Sequence, residues 1–183
     1  MSNQKSIVED KSIRNIQRPN NVDIEYGFKI NDSITEDVLV FTEREKNQIR
    51  VFSVPDMRPL DNGGFKVFKD AKIPDYKSPM GVALYKSPNT NKLFAIIGRK
   101  GGPSPGYLHQ YELVSENGIA KLTLVREFGK FSGKKEIEAI AVDDALGYVY
   151  YSDEGQCIRK YNAEPSKGNE ELACFGQEFF WRI

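Results

Sequence analysis

The sequence predicts an all-β chain built from a repeated four-stranded unit, and three observations carry that prediction. The segments Asn21-Val-Asp-Ile-Glu-Tyr26, Met80-Gly-Val-Ala-Leu-Tyr85 and Glu138-Ala-Ile-Ala-Val-Asp143 echo one another, with starts 59 and 58 residues apart. Each is followed by the same series of short apolar runs. The third runs, Ile49-Arg-Val-Phe52, Leu108-His-Gln-Tyr111 and Ile158-Arg-Lys-Tyr161, all place an aromatic three residues after an aliphatic. Finally, Pro and Gly are dense enough that no stretch of a dozen residues keeps helical periodicity, so helix should be scarce. A strand-filled period of this size is that of a β-propeller with about four strands per blade. Three blades are expected in this chain.

The first repeat begins at Asn20 or Asn21, turns through Gly27 to Ser33 and resumes with Asp37-Val-Leu-Val-Phe41. Gln48-Ile-Arg-Val-Phe-Ser53 then alternates with the two-residue period of a half-buried strand, and Phe65-Lys-Val-Phe68 follows the Asp61-Asn-Gly-Gly64 turn signal. The second repeat takes the same course through Gly81 to Tyr85, Lys92 to Ile97, Tyr107 to Leu113 and Lys121 to Arg126. Its punctuation is Ser87-Pro-Asn-Thr-Asn91, Gly101-Gly-Pro-Ser-Pro-Gly106 and Glu116-Asn-Gly118, residues that supply the backbone angles turns require. The third runs through Ala139 to Val142, Tyr148 to Tyr151, Cys157 to Tyr161 and Glu171 to Phe175. Blades are thus expected over about 20–76, 77–134 and 135–178, within a partial propeller domain covering 19–183. Residues 1–18, with Ile13 and Ile16 as their paired apolar signal, read as a ragged end or the last strand of a preceding blade, and 179–183 as the start of another.

Composition limits the partners. Hydrophobic residues are 39% and charged residues 28%, as in folded globular chains. The 26 basic and 26 acidic residues cancel, so no global field draws the chain to nucleic acid or an anionic membrane. No run approaches the ~18 apolar residues of a membrane span. The first ten residues lack the apolar centre of a signal peptide, so the chain as written is expected to stay in the cytoplasm. Cys157 and Cys174 form no disulfide framework and have no partners at zinc spacing. Two descriptions remain open for them: small residues in separate strands, or a pair brought within disulfide reach by adjacent antiparallel strands and kept only in an oxidising compartment.

His109, the sole histidine, falls inside a third strand as a surface or packing residue, which leaves no Ser/His/Asp or Cys/His arrangement. Gly98-Arg-Lys-Gly-Gly102 is not a Walker loop, because no strand-to-helix transition with Gly-Lys-Ser/Thr follows. Tyr150, Tyr151, Phe179, Phe180 and Trp181 read as blade-packing aromatics.

The chemistry is expected at one rim. In an antiparallel blade the beginning of strand one and the end of strand two share a rim, because the chain reverses between them. The ends of the second strands carry Glu43-Arg44, Arg99-Lys100 and Asp153-Glu154, and Glu138 opens the third first strand. Two cationic blades beside an acidic one suit a phosphate-sized anion next to carboxylates that prefer a hard cation such as calcium.

The stretch Ile137-Glu-Ala-Ile-Ala-Val-Asp-Asp144, continuing to Ile158-Arg-Lys-Tyr-Asn-Ala-Glu-Pro165, resembles the central segment of the β-propeller phytases. These are calcium-dependent enzymes that hydrolyse myo-inositol hexakisphosphate. Asn20 to Tyr26, Thr42-Glu-Arg44 with Asn47 to Phe52, and Gly98 to Gly102 with Gln110 to Leu113 are similar to that family too, so the resemblance runs from residue 18 to 178.

It implies a six-bladed propeller whose calcium ions sit at one rim, where Lys and Arg clamp substrate phosphates. It places calcium at Glu138 and Glu154, with Asp153 as a further carboxylate, and phosphate at Arg44 and Lys100, with Arg99 beside them. Glu138, Glu154, Arg44 and Lys100 form the implied catalytic set, and Asn21 and Asp23 belong to a motif near a structural calcium. Met80 stands where some members carry an aromatic that faces substrate, and reads here as a core filler. Six blades need on the order of 350 residues, so the chain corresponds to about half a propeller.

The expected function is a phytase-type phosphomonoester hydrolase of reduced or no activity as this chain, acting on phytate or another small phosphomonoester. The alternative is a non-catalytic propeller fragment that binds a partner or self-associates through open blade edges. A lactonase-like propeller suits the cations at Arg44 and Lys100 less well. Complete members of the family are commonly secreted or periplasmic, so the resemblance and the missing signal segment point to different compartments.

Overall fold

Each repeat folds into one four-stranded antiparallel sheet with its strands in sequence order. The computed structural model describes residues 11–177. Blade 1 comprises β1 (Pro19–Lys29), β2 (Thr35–Glu43), β3 (Gln48–Val54) and β4 (Phe65–Lys66). Helix α1 (Pro74–Lys77) leads into blade 2, made of β5 (Pro79–Lys86), β6 (Leu93–Arg99), β7 (Leu108–Glu116) and β8 (Ile119–Phe128). Blade 3 contains β9 (Ile140–Asp143), β10 (Tyr148–Asp153), β11 (Cys157–Asn162) and β12 (Glu171–Phe175). A 3-10 turn over Pro165–Lys167 precedes β12. The arrangement is that of three consecutive blades of a β-propeller. No helix among the described residues is long and apolar enough to cross a membrane. The Glu178-Phe-Phe-Trp-Arg-Ile183 stretch, expected to open another blade, lies outside the described residues, as do residues 1–10 of the expected ragged end.

Local chemistry explains the turns. The β7–β8 hairpin closes on Asn117-Gly118, both with positive φ (54° and 79°), the conformation of a two-residue type I′ turn that only Gly and short polar residues adopt readily. One strand falls short of expectation. Phe65-Lys-Val-Phe68 pairs only through Phe65 and Lys66. Val67 and Phe68 are buried, and the Phe68 ring lies 4.5 Å from His109 and beneath the Arg99 guanidinium. Burying that ring against blade 2 outweighs two more ladder positions at the outer edge.

Residues two apart in a strand share a face, so the two faces of blade 2 bury two different sets of side chains. Val38, Val40 and Val51 of blade 1 join Val82, Leu84 and Ile97 of blade 2 in one core. From the other face of blade 2, Phe94 and Ile96 join Val149, Tyr151 and Tyr161 of blade 3 in a second. Fully burying each of these contributes roughly 1.5–3 kcal/mol relative to exposure. The outward faces of blades 1 and 3 leave Val22, Ile24, Tyr26 and Phe175 exposed.

The innermost strands are stitched by side-chain to backbone bonds. Asp23 accepts from the Leu84 N–H (2.8 Å), Asp144 accepts from the Lys86 N–H (2.9 Å), and the Asn21 amide donates to the Glu138 carbonyl (3.1 Å). Thr42 donates to the Met80 carbonyl at 2.8 Å. Cys157 and Cys174 form a disulfide between β11 and β12, with Cα atoms 5.6 Å apart, which resolves the two descriptions in favour of the pair.

Gly81 is required by proximity, since a Cβ there would stand 2.3 Å from the Glu138 carbonyl oxygen. Gly81→Ala is therefore expected to push β5 away from the entry to β9 and to cost about 1–3 kcal/mol, as overpacking does. A urea melt should show a lower midpoint with an unchanged slope.

Candidate functional site

β2, β6 and β10 end on a common rim, and the register repeats there: Pro19 pairs with Glu43 as Pro79 pairs with Arg99. At all three ends the first residue of the charged pair is buried and the second reaches the surface. Glu43, Arg99 and Asp153 are 0%, 4% and 0% exposed, whereas Arg44, Lys100 and Glu154 are half-buried. Adjacent residues of an extended chain point to opposite sides, so one member of each pair anchors the rim and the other is displayed on it.

The anchors are saturated. Glu43 accepts from the Gln17 N–H (2.8 Å) and the Gln48 amide (2.7 Å), and pairs with Lys46 at 2.9 Å. Burial pulls its pKa up, but those donors outweigh it and hold the carboxyl below its ordinary value. Arg99 donates to the carbonyls of Tyr107 (3.1 Å) and Gly106 (2.6 Å), and its guanidinium lies 4.4 Å from the Phe68 ring centroid. Burial lowers its pKa from the ordinary arginine value. Asp153 accepts from the Ser132 N–H (3.0 Å) and hydroxyl (2.8 Å) and from Arg159 Nε (2.8 Å).

Two of the expected site residues are engaged in the interior. Arg99, expected to touch substrate, is an interior clamp on the 106–107 backbone. Asp153, expected as a metal ligand, has its carboxylate oxygens filled by Ser132 and Arg159. In both cases the register of the last strand residue turns the side chain inward.

Among the displayed residues, Arg44 and Lys100 line one cleft of about 240 Å³ between blades 1 and 2, together with Arg18, Ser78 and Asp75. Arg44 Nε donates to the Ser78 hydroxyl at 3.4 Å. Lys100 Nζ lies 3.5 Å from Asp75 and 3.8 Å from Glu136. The backbone repeats here as well, since the Arg44 N–H donates to the Arg18 carbonyl (3.1 Å) as the Lys100 N–H donates to that of Ser78 (2.9 Å).

Glu138 is exposed immediately before β9, and Glu154 is half-buried in the turn after β10. The Ser152 N–H donates to the Ala139 carbonyl at 3.1 Å, which extends the β9–β10 pairing and sets both glutamates at its rim end. Carboxylates of this kind fit calcium in donor type. They fall short of its usual 6–8 oxygens, and no group of three or more His, Cys, Asp or Glu disposed around a metal occurs among the described residues. The Asn21 amide reaches this edge, donating to the Glu138 carbonyl at 3.1 Å, whereas the Asp23 carboxylate is engaged farther along by the Leu84 N–H.

A model of the phytase family matches residues 8–174. The chain belongs to the phytase family. A 3-phytase from Bacillus subtilis (strain 168) is 31% identical over 156 residues, which cover 82% of this chain and 38% of that protein. The chain thus spans less than half the length of the curated relative it matches.

Met80 of this phytase-family chain is fully buried, its sulfur 3.7 Å from the Asn20 amide, so it packs inside rather than facing the cleft. Sequence reasoning missed Arg18, Ser78 and Asp75. The readable signal was the dipeptide pair Arg18-Pro19 and Ser78-Pro79, which enters β1 and β5 at the same place in the repeat.

His109 is 7% exposed, between Arg99 (3.3 Å) and the Tyr111 hydroxyl (3.1 Å). Burial, then the Arg99 charge, lowers its pKa from the ordinary 6.5 to about 4. Unfolded phytase-family chain therefore holds the extra proton between those values, so stability rises with pH across the window. It is full above about pH 6.5 and is lost as pH falls through about 4, by up to about 3 kcal/mol. Denaturant unfolding at a series of pH values should show this slope, and His109→Gln should flatten it.

Proposed function

We propose that this chain carries the phosphate-clamping side and part of the metal-binding side of a calcium-assisted phosphomonoester hydrolase acting on myo-inositol hexakisphosphate. The observation that supports this reading most is the convergence of Arg44 and Lys100 on one cleft, with Glu136 linking Lys100 to the loop that ends in Glu138. The Bacillus subtilis relative is described as a 3-phytase, which agrees with the substrate class.

Arg44 presents a planar fork that matches two oxygens of one phosphate, and Lys100 adds a compact positive charge. As charge spreads over the equatorial oxygens of a transferring phosphoryl group, these two cations stabilise it without moving. Lys100 exchanges Asp75 and Glu136 for the phosphate, at small cost because the partners are partly exposed. Glu138 and Glu154 would hold calcium through their carboxylate oxygens. When bound, the ion lowers the pKa of water and polarises phosphoryl oxygens. Ser132, Asp153 and Arg159 keep the Glu154 turn and the loop before Glu138 in fixed relation.

Two carboxylates make a weak calcium site, so purified 183-residue protein is expected to release little or no phosphate from phytate at neutral pH with added calcium. Calorimetric titration should nevertheless detect phytate binding, weakened about tenfold by Arg44→Gln or Lys100→Gln. Glu138→Gln and Glu154→Gln should lower calcium affinity instead. Phytate affinity unchanged in both cation variants would sink this reading.

The exposed Val22, Ile24, Tyr26 and Phe175 on the outward faces favour a second reading, self-association of the chain. Sedimentation equilibrium would then give about twice 20.8 kDa, and a monomer at all concentrations would exclude it.

A further inference from the structure

We infer that Arg18 is a phosphate-contacting residue of the same cleft, a third cation acting beside Arg44 and Lys100. The inference rests on the cleft being an anion site, as proposed above, and adds a residue to it.

Charge favours this assignment. Without Arg18, the cationic Arg44 and Lys100 face two carboxylates, Asp75 and Glu45, in the lining of the cleft, and the balance is neutral. Arg18 makes the lining positive, with Glu136 meeting Lys100 from outside it at 3.8 Å. A neutral cleft has little attraction for a phosphate dianion, whereas one net positive charge beside a guanidinium fork selects for it.

Arg18 is also the more available cation. Lys100 is committed to Asp75 and Glu136, and Arg44 to the Ser78 hydroxyl. Among the described residues, the exposed Arg18 side chain makes no ion pair, so it can bind an anion without first releasing a partner.

Backbone conformation points the same way. Arg18 has φ of 53°, in the left-handed region that non-glycine residues seldom occupy, and its carbonyl accepts from the Arg44 N–H at 3.1 Å. Such conformations persist where surrounding structure imposes them, and they concentrate at ligand clamps. The bond fixes the Arg18 backbone against Arg44, the residue with which it would share a ligand.

The test is calorimetric titration of the full chain with myo-inositol hexakisphosphate in calcium-free buffer at several salt concentrations. Wild type is compared with Arg18→Gln, Arg44→Gln and, as a remote charge control, Lys121→Gln on the exposed outer strand β8. Arg18→Gln is expected to weaken binding about fivefold and to make its salt dependence shallower, while Lys121→Gln changes neither. Thermal unfolding of Arg18→Gln should match wild type because the side chain is exposed. If it does not, Arg18→Asn, a residue that tolerates left-handed backbone, should show the same loss of binding with the fold restored.

Arg18→Gln binding like wild type while Arg44→Gln weakens would overturn the Arg18 assignment and leave the cleft reading standing. The same holds if Arg18→Gln loses no more than Lys121→Gln. No measurable binding by wild type, or no effect of Arg44→Gln, would overturn both.

Discussion

The site depends on a buried charge at the end of each second strand. Glu43, Arg99 and Asp153 each sit under the rim and hold the neighbouring loop through hydrogen bonds to backbone or to a partner side chain. A buried charge is tolerated only when paired and fully hydrogen-bonded, so each anchor dictates the geometry of its surroundings. Arg44, Lys100 and Glu154 inherit fixed positions because they directly follow these anchors. The signs of the anchors differ from blade to blade, yet the structural task is the same, which separates the requirement for a charge from the requirement for a particular one.

Rim and core are coupled through Phe68. Its ring supports the Arg99 guanidinium and packs on His109, while the chain that delivers it forgoes the last half of a strand. Blades 1 and 2 are therefore joined near the cleft by an aromatic and a cation, and farther in by aliphatic side chains. Blade 3 is joined by a different set, in which the Tyr161 ring meets Phe128 of β8 edge-on and the Tyr151 hydroxyl donates to the Lys130 carbonyl (2.8 Å).

Much of this was legible in the sequence. The repeat spacing, the turn residues and the aromatic after each third-strand aliphatic express the blade pattern directly, because strand period and turn chemistry are local properties. The charged pairs at the second-strand ends were legible as positions. Which member of each pair is buried was not, since that depends on which face of each strand end the neighbouring loops and strands cover, as Gln17 and Gln48 cover Glu43 and Ser132 and Arg159 cover Asp153. The same limit hid Arg18, whose place beside Arg44 comes from a long-range backbone bond. The cysteine pairing needed the register of β11 against β12, and Phe68 escaped strand periodicity because a tertiary contact overrode it.

The two carboxylates that reach β5 from either side have a consequence for the strand itself. β5 lies at the inner border of its sheet, where amide groups without a ladder partner invite pairing with a stray chain. Asp23 from blade 1 and Asp144 from blade 3 occupy the amides of Leu84 and Lys86. This border is closed to an intruding strand by neighbours within the same polypeptide, so the blade order itself guards the edge that faces the propeller axis.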